Sequence, residues 1–426
     1  MAGTQCNFAL SDEIELLRLV TVGSVDDGKS TLIGRLLVDT KGAFEDQLLA
    51  VTRKKGAASS AEIDLAMLTD GLSAEREQGI TIDVAYRYFA TPKRKFIMAD
   101  CPGHEQYTRN MVTGASTANA AIILVDARNG VMPQTKRHTH ILGLLNVQHV
   151  IVAVNKMDLV DFNQKKYDDI VSELRAFCSK QGVEDLICIP VSALAGDNVA
   201  QPSTNMPWYD GETLLVTLES LSALDDVNSK PFRFPVQLVN RPQTAALPDY
   251  RGFMGRIASG TVQVGDAITV LPSGKQSKVA AIVTFDGDLE QAFAPMSVTI
   301  TLTDELDVSR GDMLVRSDQT APQGEREVEV DLCWIGDEPL SVRNKYVVKH
   351  TATSAKAIVS EIVYATDIHT LEHVDADQLT MNDLGRVRLK LQRPMHYDSY
   401  RDNRATGSLI LIDTFTNNTV GAGMVV

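Results

Sequence analysis

Cysteine is scarce in this chain of 426 residues: Cys6, Cys101, Cys178, Cys188 and Cys333 are the whole complement. Their number is odd, and no two stand in a C-x-x-C pair. A disulfide framework or a zinc site is therefore not expected, and a reducing compartment is. Long apolar runs are missing too. The longest, Ala120–Val125, ends at Asp126, far below the roughly 20 residues that a membrane-spanning helix needs. The stretch from Met1 to Leu10 has neither a basic n-region nor an apolar h-region, so no secretory leader is expected. Basic residues are in deficit, 41 Lys and Arg against 55 Asp and Glu, for a net charge of −14. Such a surface repels phosphate backbones and disfavours broad nucleic-acid binding. These absences point to a cytoplasmic protein with no membrane segment.

The rest of the composition is ordinary for a globular chain, with 44% apolar and 23% charged residues. The length suggests two to three domains at about 150 residues each. The first half alternates short apolar strands with amphipathic helices. Strands are expected at Leu16–Val22, Ile80–Phe89, Lys95–Ala99, Ala120–Val125, Val150–Val154 and Leu186–Val191. Helices are expected at Lys29–Leu37 and near Glu105–Gly114, Thr135–Leu145, Lys165–Lys180 and Gly211–Ser222. That alternation indicates a mostly parallel sheet covered on both faces. After a linker near Asp225–Pro231 the texture changes. Val, Thr and Ile become dense and glycines recur at Gly252, Gly255, Gly260, Gly265 and Gly274. Short strands broken by turns suggest antiparallel barrels or sandwiches. A second break is expected near Ala321–Gly324. Trp208 and Trp334 read as packing residues.

Four motifs carry chemistry. Gly23-Ser24-Val25-Asp26-Asp27-Gly28-Lys29-Ser30 matches G-x-x-x-x-G-K-[ST] between a strand and a helix. Backbone N–H groups of such a loop curl around phosphate oxygens at the positive end of a helix. Lys29 supplies a point charge to the β- and γ-phosphates, Ser30 offers a hydroxyl to Mg²⁺, and Thr31 extends the set. Asp100-Cys101-Pro102-Gly103-His104 follows the strand Lys95–Ala99. Asp100 is placed to hold Mg²⁺ through water, and Gly103 permits close approach to a terminal phosphate. In Asn155-Lys156-Met157-Asp158, the Asp158 carboxylate matches the paired donors, N1–H and exocyclic amine, of guanine and not adenine. Ser192-Ala193-Leu194 is placed to complete the base pocket with backbone N–H groups. Within Arg76–Ile82, Thr81 is a candidate Mg²⁺ ligand while the γ-phosphate is present. His138 and His140 do not share one helix face, so metal binding there is discounted.

The order P-loop, Thr81, Asp-x-x-Gly, Asn-Lys-x-Asp, Ser-Ala-Leu resembles the GTPase superfamily. Arg-Glu-x-Gly-Ile-Thr-Ile at 76–82 and Asp-Cys-Pro-Gly-His at 100–104 look like its translation-factor branch, as in elongation factor Tu. Ser259–Asp266 is similar to the β-barrel that follows the GTPase domain in those proteins. The resemblance narrows at Asp70–Phe89, Glu105–Met111 and Arg404–Asp413, which look like the GTPase subunits of bacterial sulfate adenylyltransferases. It implies a fold and a division: a P-loop GTPase domain of α/β type at 1–224 and β-barrel domains at 231–322 and 325–426.

The same resemblance implies GTP and Mg²⁺ as cofactors and a smaller partner subunit that carries ATP and sulfate. GTP hydrolysis would then drive formation of adenosine 5′-phosphosulfate and pyrophosphate. His104 would position or activate the attacking water, with Val25 and Ile80 as an apolar gate beside it. No second P-loop occurs before Val426, so a fused adenylylsulfate kinase activity is not expected in this chain. The rival reading is a GTP-dependent carrier of aminoacyl-tRNA, against which the Asp26-Asp27 loop and the net charge lean. A GTP switch acting only as a scaffold is a third.

Overall fold

The computed structural model describes residues 15–42, 52–53, 62–63, 65, 68, 83–180, 186–222, 227–242 and 249–426. Cys6, the segment 70–82 with Ile80 and Thr81, and Asp225 and Asp226 of the expected linker lie outside them. The chain forms two compact units, Met1–Ala223 and Leu224–Val426.

The first unit is built on a six-stranded sheet. Its strands are β1 (Leu16–Gly23), β2 (Ala85–Ala90), β3 (Lys95–Asp100), β4 (Ala120–Asp126), β5 (His149–Asn155) and β6 (Leu186–Pro190). They lie in the order β2-β3-β1-β4-β5-β6. Five run parallel, and β2 is an antiparallel edge on β3. The helices are α1 (Lys29–Asp39), α2 (Thr108–Ala115), α3 (Pro133–Leu144), α4 (Gln164–Lys180) and α5 (Leu214–Ser220).

Sequence explains these elements. β4 is apolar up to its last residue and buried along its whole length, as a central strand covered on both faces must be. Leu17, Leu19, Leu32, Leu36, Phe96, Met98, Ile122, Leu124 and Ile151 join in one core. Pro133 occupies the first turn of α3, where its missing N–H costs nothing. α5 starts at Leu214, later than Gly211, because the Thr213 side chain caps it by accepting from the Val216 N–H. The expected strand at Ile80–Phe89 is found only from Ala85 among the described residues, with a bend at Asp83.

The second unit holds two seven-stranded antiparallel sheets. In the first, the strand Ala267–Leu271 at one end of the strand order pairs with Lys275–Thr284, next to last at the other end, and closes a barrel. In the second, Lys345–His350 and Thr353–Thr366 do the same. Phe232, Phe234, Phe253 and Ile300 fill one interior. Trp334, Tyr346, Val387 and Leu411 fill the other. Barrels, and not sandwiches, are therefore what the dense Val, Thr and Ile build; closure leaves no free edge on the ring.

Arg233 of the first barrel and Asp398 of the second form a bidentate pair, with Nη2 to Oδ1 at 2.9 Å and Nε to Oδ2 at 3.0 Å. Both groups are largely withdrawn from solvent, and Thr406 donates to Asp398 at 2.6 Å.

Candidate functional site

The parallel strands deliver their carboxyl ends to one edge of the sheet. Gly23, Asp100, Asp126 and Asn155 terminate β1, β3, β4 and β5, and Ser192 follows just after β6. Ligands of open α/β sheets bind at this edge.

Between β1 and α1 the backbone turns sharply, with Asp26 at φ +66° and Gly28 at φ +92°. The Asp27 carboxylate ties the loop to itself by accepting the Ser24 N–H at 2.6 Å. Burial raises its pKa, against the opposing pull of that N–H and of Lys29. Gly28 meets a steric demand as well as a conformational one. A Cβ there would lie 2.5 Å from Asn155 Nδ2. The Lys29 ammonium curls back over the loop, donating to the Gly23 carbonyl at 3.2 Å and the Ser24 carbonyl at 2.9 Å. Burial lowers its pKa, while the carboxylates of Asp100 and Asp27 hold it up. Ser24 Oγ is buried with no hydrogen-bond partner. A buried ammonium, an unused hydroxyl and the start of α1 together suit an anion. Val25, Ser30 and Thr31 are half-buried around the same turn.

At the end of β3, the Thr21 hydroxyl lies 3.3 Å from Asp100 Oδ1 and orients that buried carboxylate. Gly103 sits against the loop: a Cβ would stand 2.5 Å from the Gly23 carbonyl oxygen and 2.9 Å from Lys29 Nζ. His104 caps the short helical turn Glu105–Tyr107, its Nδ1 accepting the Gln106 N–H at 3.4 Å. The buried Arg137 of α3 reaches the adjacent Glu105 at 3.2 Å.

Asn155 is the clip of the site. Its Nδ2 donates to the Asp27 carbonyl at 2.8 Å and its Oδ1 accepts the Ala193 N–H at 3.0 Å. The Ser192 hydroxyl donates to Asp158 Oδ1 at 2.6 Å and so aims that carboxylate. The sequence places the N–H groups of Ser192, Ala193 and Leu194 to complete a base pocket. In the structure the Ser192 N–H goes to the Asp197 carbonyl and the Ala193 N–H to Asn155. These two groups order the pocket from within.

Three participants were not legible in the sequence. Arg35 of α1 donates to the carbonyls of Ala193 and Leu194. Thr21 orients Asp100. Asp126 holds both Lys156, at 2.9 Å, and Arg128, at 2.6 Å. Burial alone would raise the Asp126 pKa, but the bonds from Arg128 and Lys156 hold it down to about 2. The one available signal was a charged residue ending an otherwise apolar strand. Ile80 and Thr81 lie outside the described residues, so the gate and the third metal ligand rest on sequence alone.

The donor chemistry also fits Mg²⁺, which takes oxygen ligands and keeps several waters or phosphate oxygens. Ser30 and Asp100 present a hydroxyl and a carboxylate. Among the described residues no group of three or more His, Cys, Asp and Glu is placed to hold a metal by itself. No helix among the described residues is long and apolar enough to cross a membrane.

Comparison with known proteins adds family information. Residues 15–240 match the elongation factor Tu GTP binding domain family, and residues 327–426 match the GTP-eEF1A C-terminal domain-like family. Sulfate adenylyltransferase subunit 1 of Aliarcobacter butzleri is 53% identical over 414 residues, covering 96% of this chain and 87% of that protein. Its counterpart in Bacteroides fragilis is 52% identical over 417 residues, covering 97% and 87%. The bifunctional enzyme CysN/CysC of Rhodopirellula baltica is 52% identical over 419 residues, or 97% of this chain and 64% of that protein.

Proposed function

Because the chain belongs to the sulfate adenylyltransferase subunit 1 family and carries an elongation factor Tu-type GTP binding domain, we propose that it hydrolyses GTP to drive sulfate activation. In this reading a smaller partner subunit converts ATP and sulfate to adenosine 5′-phosphosulfate and pyrophosphate. The word subunit in the relatives' names supports the existence of a partner.

The residues have these roles. The loop Gly23 to Ser30 and Thr31 wraps the phosphates, and Lys29 neutralises their charge. Ser30, Thr81 and Asp100 would hold Mg²⁺, which withdraws charge from the phosphates when bound. Gly103 lets the backbone approach the terminal phosphate. His104 orients the attacking water, with Val25 and Ile80 as gate. Asn155, Lys156, Asp158, Ser192, Ala193 and Leu194 form the base pocket. Such catalysis is positioning and charge neutralisation with little covalent chemistry.

The observation that carries the proposal is the Asp158 carboxylate, held by Ser192 at 2.6 Å beside a loop clipped by Asn155. It is an acceptor pair in a fixed place, which is what a guanine edge requires. The three-domain division at 1–224, 231–322 and 325–426 belongs to the same proposal, and the two separate barrel sheets support it.

Reconstitution tests it. The chain is mixed with its candidate small subunit, and pyrophosphate release from ATP and sulfate is measured with and without GTP. Release that rises with GTP, together with GTP turnover faster in the mixture than in the chain alone, is expected. Equal release with and without GTP contradicts coupling.

A further inference from the structure

We propose that Asp126 is a positioning residue for nucleotide binding that acts through Lys156, an inference resting on the guanine-nucleotide reading above. Asp126 ends the central strand β4, and its side chain is 1% exposed. A carboxylate withdrawn that far from water is costly unless cations answer it. Two do. The parallel register sets Asp126 against Asn155, so the next residue, Lys156, swings its ammonium to 2.9 Å from Asp126 Oδ2. From the solvent side, Arg128 closes on the same carboxylate with Nε at 3.0 Å, Nη2 at 2.6 Å and its backbone N–H at 2.9 Å.

Lys156 is thereby fixed at both ends. Its backbone adopts a left-handed conformation, φ +62°. Its ammonium also donates to the Asp26 carbonyl of the phosphate loop. A lysine stem is otherwise flexible. Here Asp126 holds it as a strut between the end of β5 and the loop, so the two halves of the pocket stand at a set separation before any ligand arrives. Preorganisation of this kind raises affinity by removing an ordering cost. It does not touch the reacting atoms, so its effect belongs to binding and not to turnover. Arg128, exposed on its outer side, answers the same carboxylate and shields it from water.

The test is a double-mutant cycle read by calorimetry with Mg-GTP and with Mg-GDP. Asp126→Asn keeps the shape of the side chain but turns an N–H group or a neutral oxygen toward the ammonium. It is expected to weaken GTP and GDP alike, by about tenfold, the scale of one charge-assisted hydrogen bond. In steady-state turnover the loss should fall on KM and not on kcat. Lys156→Met should weaken binding similarly, and the double variant should be no weaker than Lys156→Met alone. Asp126→Glu, which keeps the charge and displaces it by one methylene, serves if the Asn variant fails to fold; it should bind several-fold more weakly. Wild-type affinity in the folded Asp126 variant overturns the proposal. So does a full further tenfold loss in the double variant, which would make the two residues independent. A wild-type chain that binds neither nucleotide overturns the guanine reading instead.

Discussion

Asn155 donates to the carbonyl of Asp27 over 2.8 Å, joining residues 128 positions apart in sequence. The same amide accepts the Ala193 N–H, so one side chain joins the loop after β1 to the loop after β6. Asn155→Ala deletes both bonds and leaves the Asp27 carbonyl and the Ala193 N–H without this partner. At about 0.5–1.5 kcal/mol per bond, a loss of roughly 2 kcal/mol in the first unit is expected, with weaker nucleotide binding. Thermal denaturation and calorimetry check both, and unchanged values in each would remove Asn155 from this role.

In the proposed reading, base choice rests on Asp158. Asp158→Asn exchanges one acceptor for a donor, which suits xanthine and opposes guanine. GTP affinity is expected to fall by at least about a hundredfold while xanthosine triphosphate gains, since a missing or reversed hydrogen bond leaves buried groups unpaired. Competition binding with the two nucleotides decides it; retained preference for GTP would exclude Asp158 from the pocket.

Gly103→Ala places a methyl group where the Gly23 carbonyl and the Lys29 ammonium already stand, at 2.5 and 2.9 Å. One of the two must shift. Turnover of GTP is expected to drop more than tenfold while the second unit is untouched. A variant as active as the wild type would show that the chain does not need this close approach.

These residues sit at points the sequence made visible and at points it did not. The phosphate loop, Asp100 and the Asn-Lys-x-Asp run are local: consecutive residues after an apolar strand, whose meaning survives without a structure. Asp126 reads in the sequence only as the end of a run, because its partners come from the next turn and from the residue that follows β5. Arg35 belongs to a helix face, and nothing in its neighbourhood names the carbonyls of Ala193 and Leu194. Barrel closure was equally hidden. The pairing of Lys345–His350 with Ser408–Asp413 joins segments far apart in sequence, and short strands alone fit a sandwich as well. Helix starts shifted where a cap such as Thr213 overruled the apolar pattern.

His138 is expected to give the first unit a pH dependence. It is buried in α3, with no partner on Nδ1. Burial, reinforced by the cations Lys29 and Arg137, lowers its pKa from 6.5 to about 3. The folded state therefore holds it neutral while the unfolded chain takes up a proton below about 6.5. Stability is full above that pH and is lost as pH falls toward about 3, by up to about 1.4 kcal/mol per pH unit. Urea unfolding at pH 7 and pH 5 is expected to show a larger decrease for the wild type than for His138→Gln. Equal decreases would contradict it.

In the second unit, Arg233→Gln leaves the Asp398 carboxylate with Thr406 but without its cation. Breaking one side of a buried pair costs about 3–5 kcal/mol. The variant is expected to unfold its barrels well before the wild type in a denaturant titration, with nucleotide affinity of the first unit unchanged. A shift below about 1 kcal/mol, the worth of an exposed pair, would show that this contact is not buried in solution.

The proposed guanine pocket is tested most directly by titrating the purified chain with GTP and, separately, with ATP, in buffered magnesium, and reading the heat of binding. Saturable binding of GTP with ATP at least a hundredfold weaker is the expected result. Equal affinity for the two, or no heat with either, would contradict it.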